Sequence, residues 1–150
     1  METKKEIIVI DWLDNNTSKK AKYLNLTLSS EQRNILRGKR LSDCNQELFI
    51  QLPRRGKISD GDILLTNISY LCIKVIAKRE KLIQIKANSN LELLKTTYHL
   101  GNRHVKMEIK DNFLFVPDDY LIEALLKNLK VEIFKVNKKF FPEVGPFEHG

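Results

Sequence analysis

Between Leu82 and Val136 the chain carries six short segments whose hydrophobic period switches between two residues and 3.6. That alternation constrains the fold more than any other feature of the sequence. Leu82-Ile83-Gln84-Ile85-Lys86-Ala87 reads as a strand. Ser89 to Tyr98 reads as a helix, capped by Ser89 or Asn90, with Leu91, Leu94 and Tyr98 on one face and Gly101 suited to the left-handed position past its end. His104 to Ile109 alternates as a strand, Asp111-Asn112 is a tight turn, and Phe113-Leu114-Phe115-Val116 pairs back as a hairpin. Pro117 opens a second helix with Asp118 and Asp119 in its first turn, and Leu121, Ile122, Leu125, Leu126 and Leu129 form its apolar stripe. Val131 to Val136 is the last strand. The order βαββαβ is that of a ferredoxin-like domain.

The first half lacks helical periodicity. Strand candidates are Glu6–Trp12, Tyr23–Leu28, Leu41, Glu47–Leu52, Ile63–Leu65 and Leu71–Ala77, with a short helical turn at Ser29–Arg33. Ser59-Asp60-Gly61-Asp62 is the strongest turn signal of this half. Short strands with frequent turns indicate a small barrel or sandwich. The expected class is therefore α+β. An N-terminal all-β domain over residues 1–76 serves as scaffold or partner-binding module, a ferredoxin-like domain spans 77–137, and a mobile tail without periodicity spans 138–150.

Charge and composition narrow the function classes. The start is charged, the run Ile7-Ile8-Val9-Ile10 is too short for a signal core, and no apolar stretch reaches membrane-spanning length, so the expected setting is the cytoplasm without membrane contact. The net charge of +7 invites a nucleic-acid reading, but residues 1–75 hold 13 Lys+Arg against 9 Asp+Glu and residues 76–150 hold 13 against 10, so neither half is the basic one. The basic patches Arg33/Arg37/Lys39/Arg40 and Arg54/Arg55/Lys57 lack interleaved aromatics. A solvated face, or a docking surface for an acidic protein, fits them better than a nucleic-acid groove. Cys44 and Cys72 form no Cys-x-x-Cys pair and read as free thiols, Cys72 as a core residue.

The chemistry-bearing stretch is Tyr98-His99-Leu100-Gly101-Asn102-Arg103-His104, at the end of the first helix. A histidine in such a turn is commonly a surface or hydrogen-bonded residue. One or two imidazoles fall short of the roughly four ligands of a closed zinc site, so a metal would need ligands from the tail or from a second copy across a two-fold axis. A general-base enzyme is a weak rival, because no carboxylate pair, nucleophile elbow or phosphate loop is present. A basic peptide- or RNA-binding module with no metal role is the alternative, and steep salt dependence would distinguish it.

Three stretches together carry a family resemblance. Tyr98-His99-Leu100-Gly101-Asn102-Arg103-His104 resembles the histidine signature of the urease accessory protein UreE family. Leu52-Pro53-Arg54 with Asp60-Gly61-Asp62-Ile63-Leu64 resembles that family's Leu-Pro-Arg-Gly and Asp-Gly-Asp-Val-Leu stretch, and Phe141-Pro142-Glu143-Val144-Gly145 its C-terminal Pro-Glu-x-Gly segment. The resemblance covers roughly residues 20–147. It implies a nickel metallochaperone and not an enzyme: a homodimer, possibly a tetramer with metal, that carries Ni(II) as cargo to a maturation complex of a GTPase and apo-urease. It implies His104 as the metal ligand, one from each subunit. His149 in the tail is a candidate helper ligand, and His99 matches a motif histidine that could instead cap the helix end or pack locally. Zn(II) or Cu(II) would bind the same imidazoles in vitro. Departures from the family are a tail with His149 alone rather than many histidines, and Pro117-Asp118-Asp119-Tyr120 where some members have histidines before the second helix.

Overall fold

The computed structural model describes residues 5–13 and 22–145. The protein is mixed α/β, with ten strands, two α-helices and one 3-10 turn among the described residues. It divides into two compact units, the first ending at Lys78 and the second beginning at Arg79, two residues beyond the boundary expected from sequence. No helix among the described residues is long and apolar enough to cross a membrane.

The first unit is a six-stranded sheet. Its strands are β1 (Ile7–Trp12), β2 (Lys22–Leu28), β3 (Arg37–Leu41), β4 (Glu47–Gln51), β5 (Ile63–Thr66) and β6 (Leu71–Ala77), in the order β2-β6-β5-β1-β4-β3. β1/β4 and β2/β6 are parallel and the other neighbours antiparallel. Alternate residues such as Val9, Leu26, Leu28, Leu48, Ile50, Leu64, Ile73 and Val75 form its core. The expected helical turn after β2 is a 3-10 turn at Gln32–Asn34. The strand expected at Leu41 is β3, of which Leu41 is the last residue; periodicity did not show the rest, because Arg37, Lys39 and Arg40 give it the look of a charge patch. As the edge of the sheet, β3 has the charges that discourage pairing with another chain.

The motif Asp60-Gly61-Asp62 is structural. Asp62 Oδ2 accepts from the Ser59 N–H at 2.8 Å and from the Trp12 indole at 3.0 Å. Asp60 Oδ1 accepts from the Ala77 N–H at 2.7 Å, and Gly61, at φ 86°, makes a turn that a side chain would strain.

The second unit is a four-stranded antiparallel sheet with two helices. The elements are β7 (Arg79–Ala87), α1 (Asn90–Asn102), β8 (Glu108–Ile109), β9 (Phe113–Pro117), α2 (Tyr120–Leu126) and β10 (Val131–Lys139), and the sheet order is β10-β7-β9-β8. β7 and β10 pair without interruption from Ala87↔Val131 to Arg79↔Lys139. On one sheet face Ile83, Ile85, Leu114 and Val116 pack with Leu100 of α1 and Leu126 of α2. On the other, Leu82, Phe115 and Phe140 form a smaller cluster that no helix residue joins.

Several sequence expectations shift here. The Ser89 hydroxyl caps α1 by accepting from the Glu92 N–H at 3.2 Å. The face of α1 turned inward carries Leu93, Thr96 and Leu100. Leu91, Leu94 and Tyr98 do share a face, but they are 58%, 67% and 66% exposed. Leu121, expected in the α2 stripe, is also exposed, whereas Ile122, Leu125, Leu126 and Leu129 pack against the core. Pro117 does not open α2. It ends β9 opposite Leu82, and Asp119 caps α2 by accepting from the Leu121 and Ile122 N–H groups at 2.8 and 3.3 Å. The last strand runs through Lys139, and Phe140 is buried, so three residues placed in the tail by sequence belong to the folded unit.

Candidate metal centre

The end of α1 departs from expectation in the way that matters most for the site. Gly101 does not take the left-handed position; α1 continues through it to Asn102, and Arg103 is the C-cap. The left-handed residue is His104, at φ 56°. Its N–H donates to the Gly101 carbonyl at 3.0 Å, and the Val105 N–H donates to the Leu100 carbonyl at 3.1 Å. These two bonds define a Schellman cap, in which the position of His104 is ordinarily glycine. The accompanying hydrophobic contact is present: Leu100 is buried, and Val105 packs against the same cluster. A side chain at this φ costs roughly 1–2 kcal/mol. The histidine thus occupies the one residue of the cap where its own Cβ is unwelcome, and such strain concentrates at functional sites.

Because the cap extends to Val105, β8 cannot begin at His104. It is confined to Glu108–Ile109, and the expected strand over His104–Ile109 is mostly an irregular connection. His104 is exposed and its ring makes no hydrogen bond to a described residue. His99 is also exposed, on the last full turn of α1, with its ring edge-on to Tyr98 at a centroid distance of 5.6 Å. His149 lies outside the described residues. Among the described residues, no group of three or more His, Cys, Asp or Glu side chains is arranged to hold a metal ion.

Both thiols belong to the first unit. Cys72 is fully buried in β6. Cys44 is exposed in the turn between β3 and β4, and the Ser42 hydroxyl 3.2 Å from its sulfur helps to hold its thiol below the ordinary range.

A second polar cluster, which sequence reasoning missed, lies three to four residues past His104. Glu108 is buried in β8. Lys138 Nζ donates to both its carboxylate oxygens at 2.9 and 2.8 Å, Lys110 Nζ lies 3.3 Å away, and the Phe141 N–H donates at 2.9 Å. Burial by itself pushes this carboxyl up. The bonds from Lys138, Phe141 and Lys110 together outweigh it and leave the group below the usual carboxylate value. The only trace in the sequence is a glutamate at an inward-facing position of a short strand, answered by a lysine at the end of the last one.

Comparison with known proteins bears on what such a site serves. The family described as UreE urease accessory protein, C-terminal domain, matches residues 80–150. A Urease accessory protein UreE of Prochlorococcus marinus subsp. pastoris (strain CCMP1986 / NIES-2087 / MED4) is 58% identical over 149 residues, covering 99% of this chain and 96% of that protein. The chain belongs to the UreE urease accessory protein family. Other UreE relatives include one from Prochlorococcus marinus (strain MIT 9215), 54% identical with 99% of both chains covered, and one from Synechococcus sp. (strain WH7805), 42% identical over 83% of this chain and 71% of that protein. The UreE name describes an accessory protein of urease and not an enzyme.

Proposed function

We propose that this UreE protein is a nickel metallochaperone. It acts as a homodimer in which the His104 imidazoles of two protomers face each other across a two-fold axis and capture one Ni(II). The ion is cargo, delivered to the urease maturation complex of a GTPase and apo-urease in the cytoplasm. The observation that carries the reading is the placement of His104: exposed, strained into the left-handed cap, and directly beyond a helix whose apolar stripe of Leu91, Leu94 and Tyr98 is exposed. One imidazole holds a metal weakly; a second copy related by a two-fold axis supplies another and covers the stripe at the same time. Imidazole suits nickel, and the same donors accept zinc or copper(II) in vitro. Two protein ligands leave coordination positions open, which suits a carrier that must give up its ion.

His149 completes the sphere from the tail. His99 has the competing role of packing on Tyr98 near the helix end. The second unit corresponds in this reading to a ferredoxin-like metal-binding and dimerisation domain (77–137) followed by the tail (138–150). Its strand order and antiparallel neighbours support that assignment. The N-terminal β domain (1–76) binds the partner through its basic surface. The test is nickel titration with mass detection of the oligomer, for wild type and His104→Ala. One nickel per dimer, lost in the variant with the dimer retained, is expected. Unchanged binding in the variant would defeat the proposal.

A further inference from the structure

β8 is one edge of the second unit's sheet and β10 the other. Glu108 is paired with Phe115, and the Lys110 N–H donates to the Phe113 carbonyl at 2.9 Å. Bonded and non-bonded residues alternate along such a ladder, so the main chain of Glu108 faces β9 and that of Met107 faces outward. The outward Met107 carbonyl accepts from the Glu143 N–H at 2.6 Å. Glu143 arrives from the opposite edge. Beyond Lys139, at the end of β10, Phe140 is buried against Leu82 and Phe115, and the Phe141 N–H donates to the Glu108 carboxylate at 2.9 Å. Lys138 bonds the same carboxylate while its ammonium lies 4.0 Å over the Phe115 ring. Residues 140–143 thus form a strap, fastened at Phe140, Glu108 and Met107, that crosses the sheet face opposite the helices and closes on the far edge.

The strap closes three residues past His104. On the helix side His104 is held by the cap: its N–H bonds the Gly101 carbonyl, and the Val105 N–H bonds the Leu100 carbonyl. On the sheet side Val105 and Met107 pack against the helix-face cluster, and the Glu143 amide holds Met107 from outside. β8 comprises Glu108 and Ile109 alone, so residues 105–107 rely on these few attachments. The left-handed backbone of His104, at φ 56°, pulls against them. Relaxing it to an extended conformation would swing Val105 off the Leu100 carbonyl and carry Met107 with it. A chain pinned at Met107 opposes that swing, and a chain released there does not.

We infer that the strap is the positioning element for His104: the Glu143 amide, anchored through Glu108, fixes the chain beyond the histidine and so keeps its imidazole in the direction set by the left-handed cap. Glu108 and Glu143 are positioning residues that act through the backbone of residues 104–107. The consequence for metal rests on the nickel-binding reading given above, whereas the mechanical link between strap and cap stands apart from it.

The experiment compares the full-length protein with Glu143→Pro, which removes the donated N–H at an exposed residue, with Glu108→Gln, which removes the charge at the anchor, and with the double variant. Amide hydrogen exchange is followed without metal in the cap, at His104 and Val105, and in the sheet, at Ile85 and Leu114. Ni(II) alone is the probe for binding. Glu143→Pro is expected to speed exchange in the cap by up to about tenfold, the weight of one main-chain hydrogen bond, and to leave Ile85 and Leu114 unchanged. Nickel affinity should fall by about tenfold as well, comparable with loss of an outer support of a metal ligand. The double variant should do little more than either substitution alone, because both residues hold the same strap. Exchange that quickens at Ile85 and Leu114 as much as in the cap would mark a purely structural role and overturn the inference. So would an unchanged cap, or a nickel affinity within about twofold of the wild type. Glu143→Pro carries the test by itself should Glu108→Gln fail to fold. Failure of the functional reading shows separately, as nickel binding that survives His104→Ala, and the metal-free exchange would then still decide the link between strap and cap.

Discussion

The Val105 N–H donates to the Leu100 carbonyl at 3.1 Å, and His104 lies between the two in a left-handed conformation. The arrangement fixes the direction in which the chain leaves α1, and with it the imidazole. A ligand on a free loop would lose rotational and translational freedom on capturing an ion. Here the backbone has given up that freedom during folding.

Stability and metal binding should therefore separate at residue 104. His104→Gly removes the strain of about 1–2 kcal/mol, offset by roughly 0.5–1 kcal/mol of extra unfolded-state entropy. His104→Ala keeps the strain. In urea unfolding of the full chain the glycine variant should exceed the alanine variant by up to about 1 kcal/mol. Both should lose nickel. Equal stability of the two would show that the cap is not strained in solution.

The exposed stripe on α1 should be the dimer contact. Leu94→Glu replaces a side chain that is two-thirds exposed in the protomer, so its cost to folding should stay within about 0.5 kcal/mol. Its cost to association should be about 2 kcal/mol, roughly thirtyfold in the dimer constant. Sedimentation at several concentrations reads this directly. A dimer of wild-type strength in the variant would place the contact elsewhere.

The pH dependence has two parts of different origin. Metal capture needs unprotonated imidazole, so nickel affinity should fall on going from about pH 7.5 to 5.5 as protons compete with the ion. The Glu108 carboxyl titrates below its ordinary value, so its bonds to Lys138 and Phe141 contribute stability that is present above the unfolded carboxyl value of about 4.3 and is lost only as pH falls through the lower folded one. Exchange at Phe141 and Glu143 should consequently stay slow at both pH values while nickel binding weakens. Loss of that protection already at pH 5.5 would contradict this ordering.

The basic surface of the first unit should serve partner docking alone. Arg54 and Arg55 are exposed, and Arg55 makes a long, solvent-facing pair of 3.6 Å with Asp11. Replacing both arginines by glutamate should weaken capture of the GTPase partner in a pull-down and leave nickel affinity within about twofold in a calorimetric titration. Loss of both together would mean that the two functions share a surface. A nucleic-acid role would appear instead as binding that collapses with added salt.

Strands that are nearly continuous apolar runs bounded by turn residues were legible in the sequence almost to the residue, as β6 and β9 illustrate. So was the Ser89 cap. The charged edge strand β3 was legible only at Leu41, because its stability comes from pairing with β4 and not from its own side chains. The inward face of α1 was misassigned for a related reason. Leu91, Leu94 and Tyr98 are more apolar than Leu93, Thr96 and Leu100, so hydrophobicity points outward. Thr96 is tolerated inside because its hydroxyl donates to the Glu92 carbonyl at 2.8 Å. At the site, the histidine motif was recognisable, yet its geometry was hidden: Gly101 drew the left-handed assignment that His104 holds. The Glu108 cluster was illegible because its partners Lys138 and Phe141 lie thirty or more residues away.

The ladder between β7 and β10 joins the first and last strands of the second unit. During synthesis β7 therefore waits for almost the whole remaining chain before its outer edge is covered. Until Val131–Lys139 emerges, a nine-residue strand rich in isoleucine and leucine has an unpaired rim, open to pairing with another nascent chain. A ribosome that stalls after α2 would release a product prone to association, and translation through β10 closes the sheet. The strand that comes last in this unit is thus the one that removes the risk its first strand creates.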